Sequence, residues 1–184
     1  MTMLKIDNNC RLILISGGAR SGKSSTALEL ARKAGDERLF IATAQAFDQE
    51  MTDRIEQHKL ERPDFKTLEK TTNLAEDFSE GKVWDAVVID CLTLWLSNLI
   101  FSDKTDAECE ASIYYDLSQL SLSCKTLILV SNEVGLGIVP EHALSRRFRD
   151  LNGRLQQGIG RSAKEVYFTV MGFRIPLHSF QAGQ

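Results

Sequence analysis

No two of the four cysteines stand in C-x-x-C spacing, no apolar run is long enough to cross a bilayer, and there is no excess of basic charge. Cys10, Cys91, Cys109 and Cys124 are scattered along the chain, a pattern that would serve a disulfide framework only in a secreted protein. Residues 1–10 include Asp7 and hold no apolar core segment, so a secretory signal is not expected, and reduced thiols in the cytoplasm are. The longest apolar stretch, Leu92–Phe101, is interrupted by Thr93, Ser97 and Asn98 and is too short for a membrane span. A net charge of −3 leaves no electrostatic footprint for nucleic acid or an anionic membrane surface. Repeats, low-complexity tracts and interdomain linkers are absent too. What remains has the composition of a globular protein, and 184 residues suit one α/β domain. That domain is expected over residues 11–184, after a short polar extension, residues 1–10, to which no role is assigned.

Against that background one stretch carries chemistry. Gly17-Gly18-Ala19-Arg20-Ser21-Gly22-Lys23-Ser24 reads G-x-x-x-x-G-K-[ST]. An apolar run, Leu12-Ile13-Leu14-Ile15, precedes it, and a helix-compatible run follows over residues 25–31, the strand–loop–helix context of a phosphate-binding loop. The glycines let successive backbone N–H groups converge on phosphate oxygens at a helix N-terminus. Lys23 can reach the β- and γ-phosphates as a point charge, and Ser24 can ligate Mg²⁺ through its hydroxyl.

The rest of the chain alternates strand and helix, which predicts a parallel sheet with crossover helices. Strands are expected over residues 11–16, 39–43, 65–69, 83–90, 126–130 and 166–170, the last of these closing the sheet. Helices are expected over residues 23–33, 48–60, Leu92–Phe101, 107–120 and 141–159, with a hint of another around Leu74 and Phe78. The fold class is α/β, a P-loop NTPase-type three-layer fold with a mostly parallel, RecA-like central sheet. In the helix over 48–60, His58 shares a face with Met51 and Ile55, a geometry that suits a packed, hydrogen-bonded histidine and a catalytic one equally. Asp90 closes a hydrophobic strand, where a P-loop enzyme places its second magnesium partner; it could also cap the helix that follows.

Leu92–Phe101 is apolar on nearly every side, which fits burial in the core or against a second copy equally. Tyr114 and Tyr115 read as packing residues. The loop after the strand at 126–130 carries Asn132, Glu133 and two glycines at the sheet edge where ligands collect. Arg146, Arg147, Arg149 and Arg154 lie along the helix beyond it, as a solvated face or as phosphate ligands.

Several stretches together resemble one family, the bifunctional adenosylcobinamide kinase / adenosylcobinamide-phosphate guanylyltransferases of cobalamin biosynthesis. They are the phosphate loop, Ile41-Ala42-Thr43-Ala44, Glu50-Met51, Arg54-Ile55, His58-Lys59, Arg62-Pro63, Glu69 and Asp90-Cys91-Leu92-Thr93. Asn132-Glu133-Val134-Gly135-Leu136-Gly137-Ile138-Val139-Pro140, Phe148-Arg149-Asp150 and Gly153-Arg154 complete the series.

The resemblance implies two reactions at one nucleotide site. ATP or GTP phosphorylates the hydroxyl of adenosylcobinamide's aminopropanol arm; GTP then gives GMP to that phosphate, releasing pyrophosphate and forming adenosylcobinamide-GDP. It implies that the GMP passes through a covalent histidine intermediate, and the matching position is His58. Some members carry two adjacent histidines here; in this chain the first of the pair is Gln57, and His58 keeps the spacing before the basic residue. The implied catalytic residues are therefore His58 and Lys23. Around the nucleotide it places Gly17, Gly18, Ala19, Arg20, Ser21, Gly22, Lys23 and Ser24, with Ala42, Thr43, Ala44, Lys59, Leu60, Glu61, Arg62, Glu69 and Asp90. Mg²⁺ falls to Ser24 and Asp90. Small-molecule substrates are the expected partners, with neither nucleic acid nor a membrane, in a homo-oligomer whose family form is a trimer.

Two other readings fit the phosphate loop alone. One is a one-step kinase of another small metabolite, without a covalent intermediate. The other is a nucleotide-switched GTPase or assembly module, which the lack of an N-K-x-D guanine-reading motif disfavours.

Overall fold

Short runs of large and β-branched apolar residues alternate with helical segments, so successive strands run parallel and the helices cross over between them. The computed structural model describes residues 3–44, 60, 62–76, 78 and 81–177. In chain order its elements are β1 (Arg11–Gly17), α1 (Lys23–Ala34), β2 (Arg38–Ala42), β3 (Lys66–Glu69), β4 (Trp84–Asp90), α2 (Leu92–Phe101), α3 (Asp106–Leu122), β5 (Cys124–Asn132), α4 (Ala143–Ser162), β6 (Glu165–Val170) and β7 (Phe173–Pro176). The helix expected over 48–60 lies outside the described residues except for Leu60.

The strands form one sheet in the order β3-β2-β4-β5-β1-β6-β7. Every pair is parallel except β6–β7. On one face α1 packs Ala27, Leu28 and Ala31 onto Ile13, Ile15, Phe40, Val88 and Ile128. On the other, α2, α3 and α4 bury Trp95, Leu96, Leu99, Ile113, Leu117, Leu151 and Leu155. The expected three-layer, RecA-like architecture follows. The carboxyl ends of β1, β4 and β5, with Gly17 opposite Asn132 in register, meet at one edge of the sheet.

Three expectations change. Val166–Val170 is not the last strand: Met171 and Gly172, at φ 51° and 80°, turn the chain back into antiparallel β7. Positive φ at both central residues is the hairpin turn whose twist matches the flanking strands. Leu74 begins a turn rather than a helix; its backbone N–H donates to the buried Asp116 carboxylate at 2.7 Å. Tyr115 is 64% exposed and does not pack inward, whereas Tyr114 is buried.

Leu4 and Cys10 are buried, and with Ile6 they pack against the larger core cluster. α2 is buried largely within its own chain through Leu92, Trp95, Leu96, Leu99 and Ile100, leaving Phe101 exposed. The arginines of α4 are engaged by the protein itself. Arg147 and Arg154 both bond the Asp106 carboxylate at the start of α3, and Arg146 reaches the Pro140 and Glu141 carbonyls.

One ion cluster ties α1 to the strand that follows it. Arg32 donates to both oxygens of Asp64 at 2.9 Å, and Arg38 adds a bond at 2.8 Å. Both guanidinium groups lie within 5.7 Å of the Phe65 ring centre. The Arg32 hydrogen bond, with Arg38's charge adding, holds the Asp64 carboxyl down at about 2, below its ordinary 3.8. A depressed carboxyl stabilises the fold above its unfolded pKa, and that stabilisation is lost as pH falls through the folded value. The pair is more than a third exposed on the Arg32 side, so solvent screening keeps its contribution small. Asp64→Asn is expected to cost up to about 1 kcal/mol at neutral pH. Urea midpoints for variant and parent should converge between about pH 4 and pH 2.

Candidate nucleotide site

β1 ends in Gly17, and the chain then turns through the phosphate loop into α1. Gly17 has φ 153°, and a Cβ there would lie 2.4 Å from the Thr169 carbonyl oxygen and 2.6 Å from its Oγ1, so no larger residue fits. Gly22 has φ 98° and caps α1. The loop is also tied from outside: Ser21 Oγ and Thr169 Oγ1 are 2.8 Å apart, and Gly172 N–H donates to the Ser21 carbonyl at 3.1 Å. The β6–β7 hairpin thus braces the loop, a role invisible in the motif.

Lys23 is 7% exposed, and its ammonium donates to the Gly18 carbonyl at 2.5 Å. Burial lowers its pKa, while the nearby Asp90 charge works in the opposite direction. Ser24 Oγ donates to Asp90 Oδ2 at 2.7 Å. The cap position of α2 is Cys91, without a side-chain bond, and the Asp90 carboxylate faces the serine of the phosphate loop. A serine hydroxyl and a carboxylate meeting at the first turn after the loop are the oxygen donor types Mg²⁺ takes. Among the described residues no three His, Cys, Asp or Glu side chains cluster for a metal, so these two residues and substrate phosphates would have to share it.

The neighbouring strand ends close around this pair. Thr43 N–H donates to the Asp90 carbonyl, and Thr43 Oγ1 both donates to the Cys91 carbonyl at 2.8 Å and accepts from Cys91 N–H at 2.7 Å. Ala42 pairs with Asp90 in register, and Glu69 pairs with Ala42. Lys23, Ser24, Asp90, Ala42 and Thr43 are therefore brought together. Leu60 is 74% exposed, and Arg62 is buried with its guanidinium 3.7 Å above the Phe40 ring. His58, Lys59 and Glu61 lie outside the described residues.

Asn132 and Glu133, which the sequence places at the sheet edge where ligands collect, belong to a polar set behind the loop whose α4 members, Asn152 and Gln156, the motifs did not show. Asn132 Nδ2 donates to Thr93 Oγ1 at 3.0 Å, and Glu133 N–H donates to the Gly17 carbonyl at 2.9 Å. Gln156 accepts from Ser16 Oγ at 2.8 Å and donates to the Asn132 carbonyl at 3.4 Å. The signal lay in Asn152 and Gln156, four residues apart on α4 and so on one helix face. Burial and the Asp90 charge push the Cys91 thiol up to about 11, which leaves it protonated and no nucleophile.

A parallel sheet whose β1 turns through such a loop, with a buried lysine and a Ser–carboxylate pair at its mouth, defines a P-loop nucleoside-triphosphate-binding protein. Solved structures agree at the level of fold. An ATPase of a bacterial type III secretion system matches with a TM-score of 0.54 at 12% identity, over 95% of this chain and 59% of that one. An ATP synthase subunit, NeqB, from Nanoarchaeum equitans matches at 0.51 and 16%, over 92% and 47%. The profile of the family described as cobinamide kinase / cobinamide phosphate guanyltransferase matches residues 13–177, and the chain belongs to that family. It is 46% identical over 169 residues to the bifunctional adenosylcobalamin biosynthesis protein CobP of Pseudomonas aeruginosa, covering 89% of this chain and 95% of that one. Its identity to CobU of Escherichia coli, named likewise, is 37% over 183 residues, covering 90% and 99%.

Proposed function

We propose that the protein phosphorylates adenosylcobinamide with ATP or GTP and then transfers GMP from GTP to the resulting phosphate, with His58 carrying the GMP in between. Family membership over residues 13–177 supplies the substrates, and the observation that carries the site is the Ser24–Asp90 contact beside buried Lys23. The backbone N–H groups of residues 17–24 would bind the phosphate oxygens, and Lys23 would exchange its bond to Gly18 for the β- and γ-phosphates. Mg²⁺, when bound by Ser24 and Asp90, would neutralise charge on the phosphates. Thr43 and Asn132 position the strand ends that carry Asp90 and Gly17.

In the first reaction the substrate hydroxyl oxygen forms a bond to the γ-phosphorus, the bond to the β-phosphate oxygen breaks, and the hydroxyl proton is lost. In the second, an imidazole nitrogen of His58 bonds the α-phosphorus as pyrophosphate leaves. A phosphate oxygen of the corrinoid then displaces the histidine, so this one hard transfer becomes two easier ones. Small molecules are the partners, the protein works in the cytoplasm, and it assembles as a homo-oligomer, in the family form a trimer. No described helix is long and apolar enough to cross a membrane.

The test supplies purified protein with cobinamide, Mg²⁺ and γ-labelled ATP, followed by α-labelled GTP. Both labels are expected in the corrinoid fraction; a corrinoid unlabelled by either nucleotide contradicts the reading. Asp90→Asn should lower both transfers by about 10²-fold, the size of one lost charge contact in a transition state. A higher Mg²⁺ requirement at unchanged Tm should accompany it.

A further inference from the structure

α2 begins at Leu92, just past Asp90, and is mostly apolar, so the few polar residues on it invite a reason. Thr93 accepts from Asn132 at the end of β5. Asn98, half-buried between Leu96 and Leu99, reaches two other strand ends. Its carboxamide nitrogen donates to the Thr43 carbonyl at 3.0 Å and to the Thr71 carbonyl at 3.1 Å. Carbonyls can only accept, so the NH₂ end must face both, and one planar group supplies the two hydrogens.

Thr43 is where this tie meets the site. It is 0% exposed, and a carbonyl buried there without a donor would cost free energy. Its N–H donates to the Asp90 carbonyl at 3.1 Å. Its Oγ1 donates to the Cys91 carbonyl and accepts from the Cys91 N–H. Thr43 thus grips the Asp90–Cys91 segment, and Asn98 grips Thr43. The bond to Thr71 widens the block, because Lys70 N–H donates to the Ala42 carbonyl at 3.0 Å. The ends of β2, β3 and β4 are fixed together against α2. On that block sits the Asp90 carboxylate that Ser24 Oγ reaches at 2.7 Å.

We propose that Asn98 is a positioning residue of the nucleotide site: through Thr43 it holds the Asp90 carboxylate where Ser24 and Mg²⁺ meet it. The role rests on the Ser24–Asp90 pair taking the metal, as in the proposed function. Asn98 is not itself a ligand in this role. Groups that orient metal ligands are commonly worth about 10- to 100-fold in metal affinity, and Asn98 stands one residue further back.

Asn98→Leu removes both donors at similar volume, and leucine favours the helix over asparagine. Mn²⁺ takes the same oxygen ligands as Mg²⁺, and electron paramagnetic resonance reads its binding to the protein–GDP complex. The variant is expected to bind Mn²⁺ about 10-fold more weakly than the parent. Metal-free pyrophosphate should bind both equally, since the phosphate loop keeps its own braces at Thr169 and Gly172. Raised Mg²⁺ should bring kcat for both transfers back toward the parent's. Should Asn98→Leu fail to fold, Asn98→Ser, smaller and open to water, carries the same expectation. In a Thr43→Val background, where the grip on Cys91 is gone, the Asn98 substitution should add little further loss. Parent-like Mn²⁺ affinity in a folded Asn98 variant overturns the proposal, whatever its Tm, and leaves the residue a structural tie alone. Additive losses in the double variant also overturn it, since Asn98 would then act by another route. A parent GDP complex that binds no Mn²⁺ removes the magnesium reading of Asp90 first, and this role with it.

Discussion

Lys23→Ala is expected to lose both phosphoryl transfer and guanylyl transfer, each by about 10²- to 10³-fold, the range for removing a preorganised charge from a transition state. The two losses should be similar because both leaving groups are polyphosphates: a nucleoside diphosphate in the first reaction, pyrophosphate in the second. Negative charge builds on the bridging oxygen in each, and the lysine is the only cation the phosphate loop itself holds inside the protein. Folding should be nearly unaffected. Lys23 is buried, its charged form is disfavoured by that burial, and its one bond is to the Gly18 carbonyl; truncation frees the fold from holding a desolvated ammonium. Lys23→Arg should not rescue, because a planar guanidinium cannot take the place of a compact ammonium in a 7% exposed position. Activity in both reactions, followed with γ- and α-labelled nucleotide, checks this. A variant that loses guanylyl transfer and keeps phosphoryl transfer would mean that the γ-phosphate is held elsewhere.

Much of this arrangement was legible because it is local. Residues 12–24 state a strand, a turn and a helix in one continuous segment, and Gly17 and Gly22 stand where positive φ is needed. Asp90 was readable as the end of a buried run, but not its role. A helix cap and a metal ligand demand the same residue type there, and the contact to Ser24, 66 positions away, is not written in the strand.

What sequence could not give is long-range pairing. Thr169 braces Ser21 from the far end of the chain, and nothing in Thr169-Val170 advertises that. β7 was missed for a different reason: Met171-Gly172 lacks the Asn or Asp that usually marks such a turn, and Met171 takes φ 51° without it. Tyr115 illustrates a phase error, since a one-residue step on α3 turns a side chain by about 100° and from core to solvent. Leu60 and Arg62 are placed around the nucleotide by resemblance alone; the first is exposed and the second stacks on Phe40.

The larger claim concerns what the loop holds a nucleotide for. A P-loop by itself predicts chemistry at the γ-phosphate. A histidine acting at the α-phosphate changes which bond breaks, and the resemblance assigns that to His58, which follows β2 in the chain. β2 ends beside Asp90, to which Thr43 is hydrogen-bonded. Neutral imidazole is nucleophilic near pH 7, and the product, a nitrogen–phosphorus bond, has a recognisable stability: it survives base and is cleaved by acid. His58→Ala should abolish guanylyl transfer while leaving phosphorylation of cobinamide within a few-fold of the parent, since the first reaction makes no use of the imidazole.

The direct measurement is self-labelling without acceptor. Folded protein is incubated with α-labelled GTP and Mg²⁺, denatured, and freed of nucleotide. Label that stays with the chain, resists base, is released by acid and is missing from His58→Ala is the predicted result. A chain that takes up no label while still transferring GMP to cobinamide phosphate, or equal labelling of His58→Ala, would contradict the covalent route.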